Sequence, residues 1–255
     1  MKQFDSINTI LPFIIEDSAV NAVFLKGSLA STEYDEYSDV DMYCLVNEDE
    51  LTSFLARRLE YMSKYRPLIY YSEANFVGPQ IVGVFDNGLH FDLYTVTLSS
   101  LKATGDIKVL YDPNELLINY KAQSFRISDD QLIEHINNIA FTLLEFEAAY
   151  NRNDLVWASR LASHISGYLS IIIRHQCDPE NALLGMKRLN NYLAPDKYKK
   201  IADAIDLIGP TYLPAGIKRI IEILENTIDE LPNHIKNRIN SVFLSVMIEK
   251  ARNCM

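Results

Sequence analysis

The chain has 255 residues, of which 48% are hydrophobic, and a formal net charge of −10 at pH 7. This length suffices for one large or two modest domains with a substantial core, and no run approaches the ~18 apolar residues of a membrane span. The acidic balance disfavours a nucleic-acid polymer as partner, because binding to phosphates requires a basic surface.

The N-terminal half alternates helical and strand-like patterns. Apolar spacing predicts helices over residues 4–17 and 48–64, and apolar runs predict strands over 20–26, 68–71 and 107–111. Two more strand-like runs, within residues 81–96, flank Asn87-Gly88, a pair typical of a hairpin with a type I′ turn. The mixture predicts a small α+β domain with a mixed sheet over residues 1–120.

After about residue 125 the strand-like alternation stops and helical periodicity replaces it. Ser128 and Gln131 have the spacing of a capping box that begins a helix. Expected helices cover about 129–150, 157–172, 179–189, 217–228 and 235–246. The pattern predicts an all-α C-terminal domain over residues 121–255, a bundle of about five helices.

The cysteines and the N-terminus bear on the compartment. Cys44, Cys177 and Cys254 have neither disulfide nor metal-ligand spacing. The first residues lack the pattern of a signal peptide. We therefore expect a cytoplasmic protein.

The most informative residues lie at the ends of the first two strands. The first strand leads into Gly27 and Ser28, and Asp39 and Asp41 open the second strand about ten residues later. Side chains two apart on a strand share a face, so the two carboxylates project together. Paired carboxylates suit Mg²⁺, glycine lets the backbone approach a phosphate, and a serine can donate hydrogen bonds to it. This layout favours a site for a nucleoside triphosphate with magnesium, and nucleotidyl transfer is the leading hypothesis.

Asp92 is the third acidic candidate. It lies in the second arm of the predicted hairpin, on the face opposite Phe91 and Leu93. A carboxylate in an apolar strand is costly unless it is paired or binds a metal. Asp92 would complete a three-carboxylate site with Asp39 and Asp41 for two metals, or it would deprotonate the acceptor hydroxyl. An exposed surface strand is the alternative.

These residues resemble the motif of the DNA polymerase β-like nucleotidyltransferase superfamily, which has Gly-Ser, a short spacer, Asp-x-Asp and a later acidic residue. The chain length and the helical second half are most similar to the antibiotic nucleotidyltransferases, which act on aminoglycosides or lincosamides. The resemblance implies that Asp39, Asp41 and Asp92 are the catalytic metal site. It implies further that Gly27 and Ser28 cradle the triphosphate.

Two further positions follow from the same resemblance. Related enzymes often carry a Gly-x-Lys segment whose lysine reaches the triphosphate. Here that segment is Gly185-Met186-Lys187, which makes Lys187 a candidate for binding the nucleotide; an exposed helical lysine is the alternative. Many members also have Ala-Arg-Gly after the Gly-Ser pair, whereas Ala30 is followed here by Ser31.

The resemblance and the residues together predict a Mg²⁺-dependent nucleotidyltransferase. It would move a nucleoside monophosphate, AMP from ATP in the first instance, to a hydroxyl of a small molecule such as an aminoglycoside-type antibiotic, and release pyrophosphate. One alternative is an antitoxin-type enzyme that adds AMP to a protein, although free-standing domains of that kind are usually shorter. Another is a non-catalytic nucleotide sensor on the same fold. The expected partners are the triphosphate and the acceptor, without a nucleic-acid polymer or a membrane, and the oligomeric state is open.

Overall fold

The computed structural model describes residues 1–31, 33–75 and 78–254. The chain divides into two compact units, residues 1–123 and 124–255. A mixed sheet dominates the first unit and helices form the second, so the expected α+β class is confirmed. Among the residues described, no helix combines the length and the apolar character needed to cross a membrane.

The first unit contains two helices and six strands within the described ranges. They are α1 (Lys2–Ile15), β1 (Val20–Lys26), β2 (Val40–Val46), α2 (Leu51–Met62), β3 (Leu68–Ala74), β4 (Gln80–Phe85), β5 (His90–Val96) and β6 (Lys108–Tyr111). Every strand and helix predicted for residues 4–111 is present, with ends shifted by a few residues. Short 3₁₀ turns over Gly27–Ala30 and Glu48–Glu50 complete the unit.

The six strands form one sheet in the order β3-β4-β5-β2-β1-β6. The central pair, β2 and β5, is parallel, and the neighbouring pairs are antiparallel. Alternate residues of β2, namely Val40, Met42 and Cys44, face the main apolar core of this unit together with residues of α1 and α2. The opposite face carries Tyr43 and Tyr94 in a smaller buried cluster, which lies directly behind the acidic residues.

The turn between β4 and β5 is not the predicted type I′ turn. That turn needs a positive φ at both central residues; Gly88 has a φ of +71°, but Asn87 does not lie in the left-handed region. The Asn87 side chain instead accepts a hydrogen bond from the Leu89 amide at 3.1 Å, and the Gly88 amide donates to the Phe85 carbonyl at 2.9 Å. This hydrogen bond favours a connection longer than the two residues of a type I′ turn. The hairpin itself forms as expected.

Asp17, in the turn between α1 and β1, ties that turn to α2. The Arg57 guanidinium donates to both carboxylate oxygens of Asp17, at 2.8 and 2.9 Å, and the Tyr61 hydroxyl donates at 2.5 Å. Burial raises the pKa of the Asp17 carboxyl, but the hydrogen bonds from Arg57, Tyr61 and the Ala19 amide outweigh it and lower the pKa overall. The ionised form of Asp17 therefore stabilises the fold.

Asp17→Asn is expected to lower the free energy of unfolding by about 2 kcal/mol at pH 7, since hydrogen bonds to charged groups each contribute about 1.5–3 kcal/mol. Because the folded-state pKa is lowered, this contribution is present above the unfolded-state pKa and is lost as the pH falls through the folded-state pKa. Urea denaturation of both proteins should show the difference at pH 7 and its disappearance in acid. Asp49→Asn, at an exposed position, is the control. Equal stability of Asp17→Asn and the wild type at pH 7 would contradict the expectation.

The second unit is a helical assembly. Its α-helices are α3 (Asp129–Asn151), α4 (Leu155–Cys177), α5 (Pro195–Ile205), α6 (Leu213–Asp229), α7 (Asn233–Lys236) and α8 (Ser241–Asn253). The predicted capping box at Ser128 is confirmed, with Gln131 and Ser128 exchanging hydrogen bonds. A single apolar core runs through this unit and includes residues of α3, α4, α6 and α8.

Two helical predictions for this unit need correction, and one observed helix was missed. The helix expected over 179–189 is replaced by two 3₁₀ turns, Pro179–Leu184 and Leu189–Asn191. Between these turns Gly185 and Arg188 have positive φ values of 51° and 54°, which a right-handed helix cannot contain. The helix expected over 235–246 is divided into α7 and α8, because Asn240 caps the start of α8. Helix α5 was not predicted.

Candidate active site

The Gly27-Ser28 turn begins where β1 ends. Gly27 has a φ of +64°, and a Cβ atom placed on it would lie 2.3 Å from Oδ2 of Asp41. A glycine is needed here on both counts, because the backbone conformation disfavours a side chain and the Asp41 carboxylate occupies the space. The Ser28 hydroxyl is buried and has no hydrogen-bond partner among the residues that the structure describes. The turn therefore combines a glycine that lies against the Asp41 carboxylate with a buried hydroxyl on the next residue.

Strand pairing brings two of the three predicted carboxylates side by side. Asp41 of β2 pairs with Asp92 of β5 in the parallel ladder, so their side chains project from the same face of the sheet. Asp39 lies immediately before β2, with its side chain 44% exposed, while Asp92 is buried. The structure thus places all three acidic residues at one end of the central strand pair.

His90 joins this cluster although it was not predicted. Its Nε2 lies 3.0 Å from Oδ1 of Asp92, and its Nδ1 lies 3.7 Å from Oδ2 of Asp39. One imidazole therefore contacts two of the three carboxylates. In this arrangement, no group of three or more His, Cys, Asp or Glu residues in the described ranges is disposed to hold a metal ion, so the metal-ligand role of the carboxylates stays a prediction.

Two tyrosines lie behind the carboxylates, and burial together with the negative charges of the carboxylates raises the pKa values of both. Tyr43 and Tyr94 are stacked, with ring centroids 4.3 Å apart. Burial, followed by the charges of Asp41, Asp92 and Asp39, raises the pKa of Tyr94 well above its usual range. Burial also raises the pKa of Asp92, because a buried carboxylate loses its hydration. Burial therefore disfavours the charged forms of both Tyr94 and Asp92 on the sheltered side of the cluster.

The loop that precedes Asp39 is fixed from α1. Gln3 is fully buried, and its Nε2 donates to the carbonyls of Asp35, Glu36 and Ser38 at 3.3, 3.1 and 2.7 Å. Three hydrogen bonds from one amide hold a loop that has no regular secondary structure of its own. The backbone that leads into Asp39 is therefore held in place, although the Asp39 side chain is partly exposed.

Lys187, the remaining candidate, belongs to the helical unit. The buried Arg174 donates to the carbonyls of Gly185, at 3.3 Å, and Lys187. Its guanidinium also pairs with Asp178 at 2.9 Å and lies over the Tyr192 ring at 4.7 Å. These contacts fix the backbone of the segment and leave the Lys187 side chain exposed. Its role in nucleotide binding stays a prediction.

Comparison with known proteins assigns the family. The family model for streptomycin adenylyltransferase matches residues 1–229. The chain belongs to the streptomycin adenylyltransferase family. The protein is therefore a nucleotidyltransferase of the antibiotic-modifying type, as the resemblance implied.

One solved structure is similar to this adenylyltransferase over nearly its whole length. It is an aminoglycoside 6-adenyltransferase from Bacillus subtilis, which shares 14% identity over 96% of this chain and 97% of that chain, with a TM-score of 0.31. No curated protein matches the chain.

Two polar residues that lie beside Asp92 were not identified from the sequence. His90 is two residues before Asp92 on β5, and this spacing was a usable signal because it places both side chains on one face. Gln80 also contacts Asp92, but it lies on β4, and only the pairing of β4 with β5 brings the two together. No local pattern marks Gln80.

Proposed function

We propose that this adenylyltransferase transfers AMP from ATP to a hydroxyl group of an aminoglycoside-type antibiotic, with Mg²⁺ as cofactor, and releases pyrophosphate. The observation that carries the proposal is the convergence of Asp39, Asp41 and Asp92 beside the Gly27-Ser28 turn. Family membership supports the reaction class and the kind of acceptor, and it favours a small-molecule acceptor over the protein-modifying and sensor hypotheses. The free cysteines are in keeping with a cytoplasmic enzyme.

The residues around Gly27 fit a divalent cation and a polyphosphate in three respects. Carboxylate oxygens are the ligands that Mg²⁺ prefers, and Asp39 and Asp41 would hold the cation, with or without Asp92. The Asp41 carboxylate occupies the place that a Cβ on Gly27 would take, so the turn brings this proposed cation ligand against the backbone. The Ser28 hydroxyl is buried and has no hydrogen-bond partner among the described residues. When bound, the cation would neutralise charge on the triphosphate and lower the pKa of the acceptor hydroxyl.

The protein itself would bind and orient the reactants. The absence of a side chain at Gly27 lets the Asp41 carboxylate lie against the backbone of the turn, and the Gly27-Ser28 turn would bind phosphate oxygens through the Ser28 amide and hydroxyl. Asp92 would be a further cation ligand or would accept the proton of the attacking hydroxyl. Lys187 is proposed as a phosphate-binding residue on the family resemblance alone.

An acidic loop supports a cationic acceptor. Glu33, Asp35 and Glu36 are exposed in the loop that leads to Asp39, and the whole chain has a net charge of −10. Clustered charges of one sign raise the local concentration of oppositely charged ligands and their association rates. Aminoglycosides carry several ammonium groups, so this surface would attract them.

Pyrophosphate release tests the proposal. We expect release only when streptomycin or another aminoglycoside, a nucleoside triphosphate and Mg²⁺ are all present, with ATP the preferred nucleotide. Chelation by EDTA should abolish release, and added Mg²⁺ should restore it. Lincosamides and simple alcohols serve as acceptor controls. No release with any nucleotide and acceptor, or transfer of labelled AMP only to a protein, would contradict the proposal.

A further inference from the structure

Asp92 is contacted by polar side chains from two directions. His90, on the same strand, approaches Oδ1 of Asp92 with Nε2 at 3.0 Å. Gln80, on β4, is paired with Tyr94 while Val82 is paired with Asp92, so the Gln80 and Asp92 side chains lie diagonally on the same face. Burial raises the pKa of the Asp92 carboxyl, and the His90 and Gln80 side chains act against this rise. The Asp92 carboxylate is therefore bounded by an imidazole on one side and an amide on the other.

The burial of Gln80 argues for a specific role. Gln80 is 2% exposed, and its Oε1 is buried without a hydrogen-bond partner among the described residues. A buried amide with an unpaired oxygen costs free energy that an apolar side chain of similar size would avoid. The amide is the polar group that this position presents on the same face as Asp92. Orientation of the Asp92 carboxylate is therefore the role that accounts for a buried amide here.

We propose that Gln80 and His90 are positioning residues that fix the orientation of the Asp92 carboxylate for nucleotidyl transfer. The inference rests on the proposed function, since it gives Asp92 a part in the reaction. The imidazole on one side and the amide on the other restrict rotation of the carboxylate and direct its remaining lone pairs into the site. A carboxylate that binds a cation and one that accepts a proton both depend on such orientation, and losing a supporting contact of this kind typically costs about 10- to 100-fold in metal affinity or activity.

His90 can be tested with two amide variants. In His90→Gln the amide nitrogen takes the place of Nε2, whereas in His90→Asn it takes the place of Nδ1 and cannot reach Asp92. We expect His90→Asn to lower kcat about 10- to 100-fold and His90→Gln to restore most of it. KM for ATP should change little in either variant. Equal kcat in both variants, whether high or low, would contradict a role through Nε2.

Gln80→Met removes the amide donor and nearly keeps the side-chain volume. We expect kcat to fall about 10- to 100-fold with little change in KM for ATP. The control is Gln176→Met in the helical unit, where the more exposed Gln176 donates to the Thr227 carbonyl at 2.8 Å. This control should lower the unfolding temperature and leave kcat unchanged. A Gln80→Met protein that only loses stability, with wild-type kcat, would show that Gln80 is merely structural.

Crystal structures without nucleotide give a readout that does not depend on activity. We expect one orientation of the Asp92 carboxylate in the wild type, and a rotated or divided one in Gln80→Met and His90→Asn. An unchanged Asp92 in both variants overturns the positioning inference. If the wild type releases no pyrophosphate with any nucleotide and acceptor, the proposed function fails instead, and the orientation of Asp92 still decides whether these residues position it.

Discussion

Asp41→Asn should abolish detectable nucleotidyl transfer while the protein folds as the wild type does. Asp41 lies at the centre of the cluster, in register with Asp92 and against Gly27. We expect kcat to fall by at least about a thousandfold, because a bound cation contributes several kcal/mol of charge stabilisation in the transition state and about 1.4 kcal/mol corresponds to tenfold in rate. Asp39→Asn should behave similarly. Pyrophosphate release and urea denaturation measure the two effects.

The expected stability of Asp41→Asn separates a functional carboxylate from a structural one. Asparagine keeps the size and shape of the aspartate side chain, so the unfolding midpoint should change little. Asp49→Asn, on an exposed turn before α2, is the control and should retain activity. Wild-type turnover in Asp41→Asn would remove the basis of the proposed site.

Gly27→Ala should have the second-largest effect on activity. The added Cβ would meet Oδ2 of Asp41 at 2.3 Å, so the Asp41 carboxylate must move or the turn must distort. The positive φ of this position adds a backbone penalty of about 1–2 kcal/mol for any residue with a side chain. We expect kcat to fall at least about a hundredfold, with weaker ATP binding, since misplacement by about 1 Å can cost that much. Calorimetry with ATP and pyrophosphate release measure the change.

Gly88→Ala is the matched control for this substitution. Gly88 has a similar φ of +71°, but no described atom lies within 4 Å of an added Cβ. Gly88→Ala should therefore lose a comparable amount of stability and keep its activity. If Gly27→Ala and Gly88→Ala have the same ATP affinity and turnover, the contact between Gly27 and Asp41 has no functional importance.

The regular elements were largely predictable because they depend on local interactions. The alternation in β2 identified the buried residues Val40, Met42 and Cys44, and the capping box at Ser128 was correct. The errors occurred where contacts between residues that are distant in sequence override local patterns. Residues 179–189 have helical spacing, but the backbone there takes positive φ values and is held by Arg174. The hydrogen bonds from Arg174 join residues 11 and 13 positions apart, which the helical period does not predict.

The amino-acid sequence alone indicated the chemistry proposed for the first unit. Gly27-Ser28, Asp39 and Asp41 predict it, because the spacing of the two aspartates matches the twofold period of a strand. The three-dimensional structure was needed to show that Asp92 lies beside Asp41, and that Gln80 and His90 lie next to Asp92. The reason is physical: strand neighbours and register are set by packing between distant segments of the chain, and no short pattern contains that information.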